Sequence, residues 1–291
     1  MAFHAIKAGE GSAFVCVGVE SSTRAQIGVA CDQPDTQNPR LQAGNAEGFP
    51  QAYMAMGITA ENVADKYGIT REEMDRFAVQ SHERAVRAGK DGIFAREIIP
   101  VPLASGITMT ADDGPRADTS LEKLAELRPV FRQDGRVTAG NSCPLNDGAA
   151  AAVVMSRVRA EQLGIRPLAR IVSTGVSSTE PELMGLGPIE STRQALGRAG
   201  MTIDDVDVVE INEAFAAQVI PSAAGIGIDP FSDTLNPHGG AIALGHPFGM
   251  TGIRILATLL NDLRARDQEV GLETMCVGGG QGMAMIVERL S

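Results

Sequence analysis

No run of apolar residues in this chain approaches the roughly 20 that a membrane-spanning helix requires. The opening Met-Ala-Phe-His-Ala-Ile-Lys-Ala-Gly lacks the apolar core of a secretory signal. A soluble protein with no membrane span is therefore expected. Cysteine is scarce: the four present, Cys16, Cys31, Cys143 and Cys276, lie far apart. Their spacing excludes a disulfide scaffold and offers no pair of metal ligands, so the expectation is reduced thiols in a cytoplasmic protein without a metal site. Positive charge is in the minority, with 25 Lys and Arg against 36 Asp and Glu and a net charge of -11. Such a balance cannot neutralise phosphates nonspecifically, and no nucleic-acid partner is expected. What remains is a globular protein, whose 291 residues at 44% apolar content are enough for one large core or two ordinary ones.

Along the chain, helical composition over Met1–Ala8 gives way to Ala13–Val19, which reads as a buried strand. No capping residue precedes that first helix, so it looks cut rather than begun. Residues 21–50 are polar and read as a long loop. Helices are expected over Thr59–Lys66 and Thr70–Ala88. The second is opened by a capping box, Thr70 with Glu73, buries Met74, Phe77, Ala78 and Ser81, and is stopped by Gly89. Short strands follow at Ile98–Leu103 and Ile107–Thr110. Ala149–Met155 reads as a strand or a close-packed helix, and Arg157–Leu163 as a helix.

From there strands and helices alternate. Strands Ala169–Val176 and Val206–Ile211 are interleaved with helices Ile189–Ala199 and Glu213–Ile220; helix Ile253–Arg266 and strands Thr274–Val277 and Met283–Glu288 close the chain. This alternation predicts an α/β fold whose sheet is covered on both faces.

The chemistry concentrates in Asn236–Gly252, a turn with five glycines, His238 and His246 that leads into an amphipathic helix. Glycines let backbone amides approach a ligand, and a helix start gathers unpaired N–H groups and the positive end of a dipole. A histidine held there is expected to be neutral.

An internal repeat shapes the domain reading. Ala-Phe-Val-Cys16-Val17-Gly18 near the start matches Thr-Met-Cys276-Val277-Gly278 near the end, each following a helix. The second copy has a further set of elements ahead of it that the first lacks, on the order of ninety residues. The expected organisation is 1–21 as the remnant of a first half, 22–130 as an inserted loop region, 131–159 as the end of that half, and 160–291 as a second half.

Three motifs fall at strand ends: Asn212-Glu213-Ala214-Phe215-Ala216, Gly245-His246-Pro247 and Cys276-Val277-Gly278-Gly279-Gly280. Ligands of α/β sheets bind at the carboxyl ends of strands, so these three can converge. An amide, an imidazole and a thiol suit carbonyl chemistry with acid-base steps and an oxyanion hole. A buried cysteine is commonly plain packing, but the glycines directly after Cys276 leave room for a substrate at the backbone.

These motifs, in this order, closely resemble the thiolase family of acetyl-CoA acetyltransferases and 3-ketoacyl-CoA thiolases. So do Met56-Gly57-Ile58-Thr59-Ala60-Glu61-Asn62, Leu127-Arg128-Pro129-Val130-Phe131, Asn141–Ala150 and Met184-Gly185-Leu186-Gly187-Pro188. The resemblance implies a layered α/β fold of two repeated half-domains, the first incomplete, with an inserted loop domain. It implies an acyl-CoA acyltransferase that cleaves or condenses CoA thioesters through an acyl-cysteine. CoA thioester is then a substrate, and no covalently bound cofactor is expected.

Site roles follow from the same resemblance. Cys276 exchanges the α-proton, as a thiolate near neutral pH. His246, with a water held by Asn212, stabilises the enolate oxygen, and the Gly278 amide supplies half of an oxyanion hole. Met56, Phe131, Met184 and Phe215 resemble residues lining the acyl and pantetheine channel, Cys143 lies near the CoA arm, and Arg116 sits toward the nucleotide end. The family's nucleophilic cysteine would have preceded Met1, so activity of this chain alone is expected to be impaired. Exposed strand edges and apolar surface are expected as well, with a homo-oligomer (dimer or tetramer) or a complete thiolase chain as partner. Two other readings stay open: a non-catalytic CoA-binding scaffold, and a component of a CoA-dependent retro-aldol lyase.

Overall fold

A computed structural model of the chain describes residues 1–24, 37–42 and 51–291. Cys31 and most of the polar stretch 21–50 lie outside the described residues. The last part of the chain forms a four-stranded sheet of β5 (Ala169–Ser178), β6 (Val208–Ile211), β7 (Val270–Val277) and β8 (Gln281–Arg289), in the order β5-β8-β7-β6. Only β6 and β7 run parallel; the other pairs are antiparallel. Every residue of β6 is buried, because helices cover both faces of the sheet.

Helix α6 (Gly187–Ala199) lies on one face, where the Ser173 hydroxyl donates to the Ala195 carbonyl at 2.7 Å and Gly175 lets the helix backbone come close. On the other face is α9 (Thr251–Ala265), whose Leu259 and Leu263 pack on Val208 and Val287. This apolar stripe is the amphipathic pattern read from the sequence.

A second, two-stranded sheet pairs β1 (Ala13–Glu20) with β4 (Gly148–Met155), antiparallel, with Gly18 opposite Ala150. The chain thus settles 149–155 as a strand. Gly18 abuts the Gly249–Met250 backbone just ahead of α9, so Phe14, Cys16 and Gly18 face that side. Val15, Val17, Val19 and Val153 lie exposed on the other. In β7 it is Gly271 and Met275 that meet α9, and Cys276 packs instead in the core cluster with Met184 and Phe215. Matching Cys16 to Cys276 is therefore off by one residue, and a slip of one exchanges the two faces of a strand.

The segment between the sheets is helical where its apolar residues recur. Helices α2 (Met56–Tyr67) and α3 (Arg71–Lys90) pack their inner faces on the core, and the capping box forms: Thr70 Oγ1 accepts from the Glu73 amide at 3.2 Å, and Glu73 Oε2 accepts from the Thr70 amide at 2.8 Å. Gly89 does not stop α3, which continues to Lys90. The strands of this region shrink to β2 (Val101–Pro102) and β3 (Thr108–Met109), and a short helix, α4 (Leu121–Ala125), is capped by Ser120. The remaining helices are α1 (Ala2–Lys7), α5 (Arg157–Leu163), α7 (Ala216–Gly225) and α8 (Ala241–Leu244).

Helix α7 starts three residues later than expected. Asn212 to Phe215 cross in non-helical chain because the Ala214 carbonyl accepts from the Cys143 amide and the Asn141 carbonyl accepts from the Ala216 amide, both at 3.0 Å. No helix among the described residues is long and apolar enough to cross a membrane.

Candidate active site

The parallel strands β6 and β7 end side by side, and the Asn212 amide donates to the Thr274 carbonyl at 3.0 Å, two residues short of Cys276. Asn212 is fully buried, and neither oxygen nor nitrogen of its side-chain amide has a hydrogen-bond partner. A buried amide left unpaired costs free energy, so its two polar atoms are available to a water or ligand.

His246 follows the short helix α8 and not a strand end as expected, in a turn gripped by the β1–β4 sheet and its flanking chain. Its backbone N–H donates to Asn146 Oδ1 at 3.1 Å, the Gly249 N–H donates to Glu20 Oε2 at 3.3 Å, and Gly148 makes room for Pro247 and Met250. The ring is fixed too. Thr251 Oγ1 lies 2.8 Å from both the Pro247 carbonyl and His246 Nδ1, which holds the ring through Nδ1 and leaves Nε2 for other partners. Burial, with Arg254 adding repulsion, pulls the imidazolium pKa down to about 4. The expectation of a neutral histidine is met, through desolvation and Arg254.

Cys276 differs from expectation in its charge state. Burial pushes its thiol up to about 12. A thiolate near neutral pH would need a cation or helix terminus beside it, and the apolar cluster around Cys276 supplies neither. The resting group is a thiol, a proton donor. Cys143 is pushed up to about 12 as well, by burial first and by Cys276 second.

Met184, Phe215 and Cys276 belong to one core cluster, and Met56 and Cys143 pack against that cluster. Phe131 meets Phe215 edge to face with ring centroids 6.0 Å apart, and Met56 borders Gly278, which is exposed. Arg116 stands apart: it is exposed, and its backbone N–H donates to His82 Nδ1 at 3.2 Å. Asn146, Thr251 and Arg254 escaped the reading of the sequence, and only Thr251, five residues after His246, carried a local signal. No group of His, Cys, Asp and Glu among the described residues could hold a metal ion.

Residues 1–158 match the family model described as Thiolase, N-terminal domain, and residues 165–289 match Thiolase, C-terminal domain. The chain belongs to the thiolase family. It is 51% identical over 249 residues to an acetyl-CoA acetyltransferase of Chromobacterium violaceum, an alignment covering 84% of this chain and 63% of that protein. To a 3-ketoacyl-CoA thiolase of a Marinomonas species it is 45% identical over 295 residues, covering 99% of this chain and 73% of the relative. The crystal structure of the Bacillus anthracis acetyl-CoA acetyltransferase superposes with a TM-score of 0.87 at 38% identity, covering 98% of this chain and 74% of that one. The α/β architecture is that of a thiolase. The chain spans less than two thirds of the Chromobacterium protein and about three quarters of the other two.

Proposed function

We propose that these residues form the acid-base part of a thiolase-type acyl-CoA acyltransferase. The observation that carries this reading is the pair of a neutral His246 held through Nδ1 and a buried, unpaired Asn212 amide at the end of β6. In thiolytic cleavage, a cysteine nucleophile gives its proton to His246 Nε2 and adds as a thiolate to the 3-keto carbon of the substrate. The bond between C2 and C3 breaks, and its electron pair leaves with C2 as the enolate of acetyl-CoA. The enolate oxygen is stabilised by the Nε2–H that His246 now carries and by a water on Asn212, and C2 takes the proton of the Cys276 thiol. The acyl group then passes from the nucleophile to the sulfur of a second CoA, whose thiol proton goes to the Cys276 thiolate, and the released cysteine recovers its proton from His246. Condensation is the reverse, with Cys276 as base.

A thiol raised to about 12 suits the donor step best, so the resting state is poised for cleavage. The Gly278 amide supplies one oxyanion donor; such donors are worth about 3 to 4 kcal/mol each. Met56, Phe131, Cys143, Met184 and Phe215 line the acyl and pantetheine path, with Arg116 at its outer, nucleotide end. The substrate is a CoA thioester, no cofactor is covalently held, and the compartment is the cytoplasm. The division at 21, 130 and 159 frames the two half-domains.

On this reading the nucleophilic cysteine comes from outside these 291 residues, and the chain alone does not complete the acyl transfer. The exposed row of Val15, Val17, Val19 and Val153, on a sheet that pairs β1 with β4 alone among the described residues, supports an associated state, as a homo-oligomer or with a complete thiolase chain. Intact mass after incubation with acetoacetyl-CoA tests the point. No acetyl adduct is expected on the folded chain, and an adduct mapped to Cys276 or Cys143 would overturn it.

A further inference from the structure

Glu213 follows Asn212 directly, and its carboxylate is almost fully buried with no ion pair among the described residues, Arg84 and Arg254 acting on it only from further away. Three donors converge on it instead. Ser81 Oγ of α3 donates to Oε2 at 2.6 Å, the Ile242 amide of α8 donates to Oε2 at 3.1 Å, and Asn236 Nδ2 donates to Oε1 at 2.8 Å. Ser81 is itself engaged, accepting from the Gly240 amide at 3.1 Å. Asn236 closes the circuit on β6: its Oδ1 accepts from the Ile211 amide at 2.8 Å, and its Nδ2 donates to the Ile211 carbonyl at 2.9 Å.

Two glycines that the chemistry above leaves unexplained fall into place here. Gly239 has φ +77°, and a Cβ there would meet the Ser81 carbonyl and Ala85; a Cβ on Gly240 would strike the Glu213 carboxyl itself. The Gly239-Gly240 pair lets the turn lie directly on α3 and on Glu213. From Ile242 the chain runs through one helical turn of α8 to His246.

We propose that Ser81, Glu213 and Asn236 form a positioning relay that holds Asn212 and the His246 turn in one register, with α3 as its anchor. This rests on the roles proposed for Asn212 and His246. A carboxylate is required because all of its neighbours donate; a glutamine would turn an N–H toward donors on one side. None of the three touches the reacting atoms, and each acts through the two residues that do.

The test compares wild type with Ser81→Ala, which removes one hydroxyl from a helix and leaves a good helix former. Two readouts are followed: amide hydrogen exchange by mass spectrometry, and incorporation of deuterium at the α-carbon of acetyl-CoA. Loss of a buried hydrogen bond to a charged group predicts roughly tenfold faster amide exchange over residues 236–246, with the rest of the chain unchanged. It also predicts roughly tenfold lower kcat for α-carbon exchange at nearly constant KM. Glu213→Gln should act in the same direction and more strongly. Amide protection over 236–246 equal to wild type, protection lost evenly along the chain, or a change in KM alone would overturn the relay. Absence of α-carbon exchange in wild type would instead refute the proposed function, with the amide exchange still deciding whether the relay exists.

Discussion

His246 Nδ1 lies 2.8 Å from the Thr251 hydroxyl, which is also 2.8 Å from the Pro247 carbonyl. The orientation of the imidazole is thus fixed at the first turn of α9, and Nε2 is left as the nitrogen for the proposed chemistry.

Thr251→Val keeps the shape of the side chain and removes the partner of His246 Nδ1. With a buried ring nitrogen left unpaired, at a cost of about 1 to 3 kcal/mol, the ring loses its fixed orientation. Exchange of the α-protons of acetyl-CoA should slow by about ten- to a hundredfold. Wild-type exchange rates in this variant would show that another group orients the ring.

Glu273 predicts an unusual dependence of stability on pH. It sits in β7 opposite Glu210 of β6, both on buried strands. Burial raises its pKa from 4.5 to about 8, against a smaller opposing effect of Arg254. The folded chain therefore keeps a proton that the unfolded chain releases, and the favourable contribution present below pH 4.5 is lost as pH rises toward 8. Glu273→Gln, neutral at every pH, should raise Tm by several degrees near pH 8 and leave it unchanged near pH 4. An equal shift at both would mean that burial does not move the Glu273 pKa away from its unfolded value.

The two thiols of the site should be inert in the resting protein. Cys143 and Cys276 are both pushed up to about 12 by burial. Iodoacetamide near neutral pH should leave both unmodified in the folded chain and label them in urea, as read by peptide mapping. Labelling of Cys276 at equal rates in both conditions would contradict its assignment as a buried proton donor.

Local signals in the sequence were legible and long-range ones were not. Thr70 and Glu73 announced the start of α3 because both halves of the cap lie within one turn. The strand end at Cys276 and the stripe of α9 were readable for the same reason, since periodicity is local. The clamp of Asn146 on the His246 amide joins residues 100 apart, and the three donors on Glu213 come from three separate elements. No spacing rule links such partners. The matching of Cys16 with Cys276 slipped because a cysteine and a glycine in common carry no information on which face of a strand is buried. The Cys276 thiol was misjudged because charge state depends on what surrounds it, and an apolar surround is visible only in the folded chain.

The account stands or falls on whether Cys276 exchanges the α-proton of acetyl-CoA in this site. The direct measurement is deuterium incorporation into acetyl-CoA in heavy water, compared between wild type and Cys276→Ala across neutral to alkaline pH. With a thiol at about 12, wild type should exceed the variant at each pH, and the excess should climb as the thiolate fraction grows. Equal incorporation by the two proteins at every pH would remove Cys276 from the chemistry and contradict the assignment of this site.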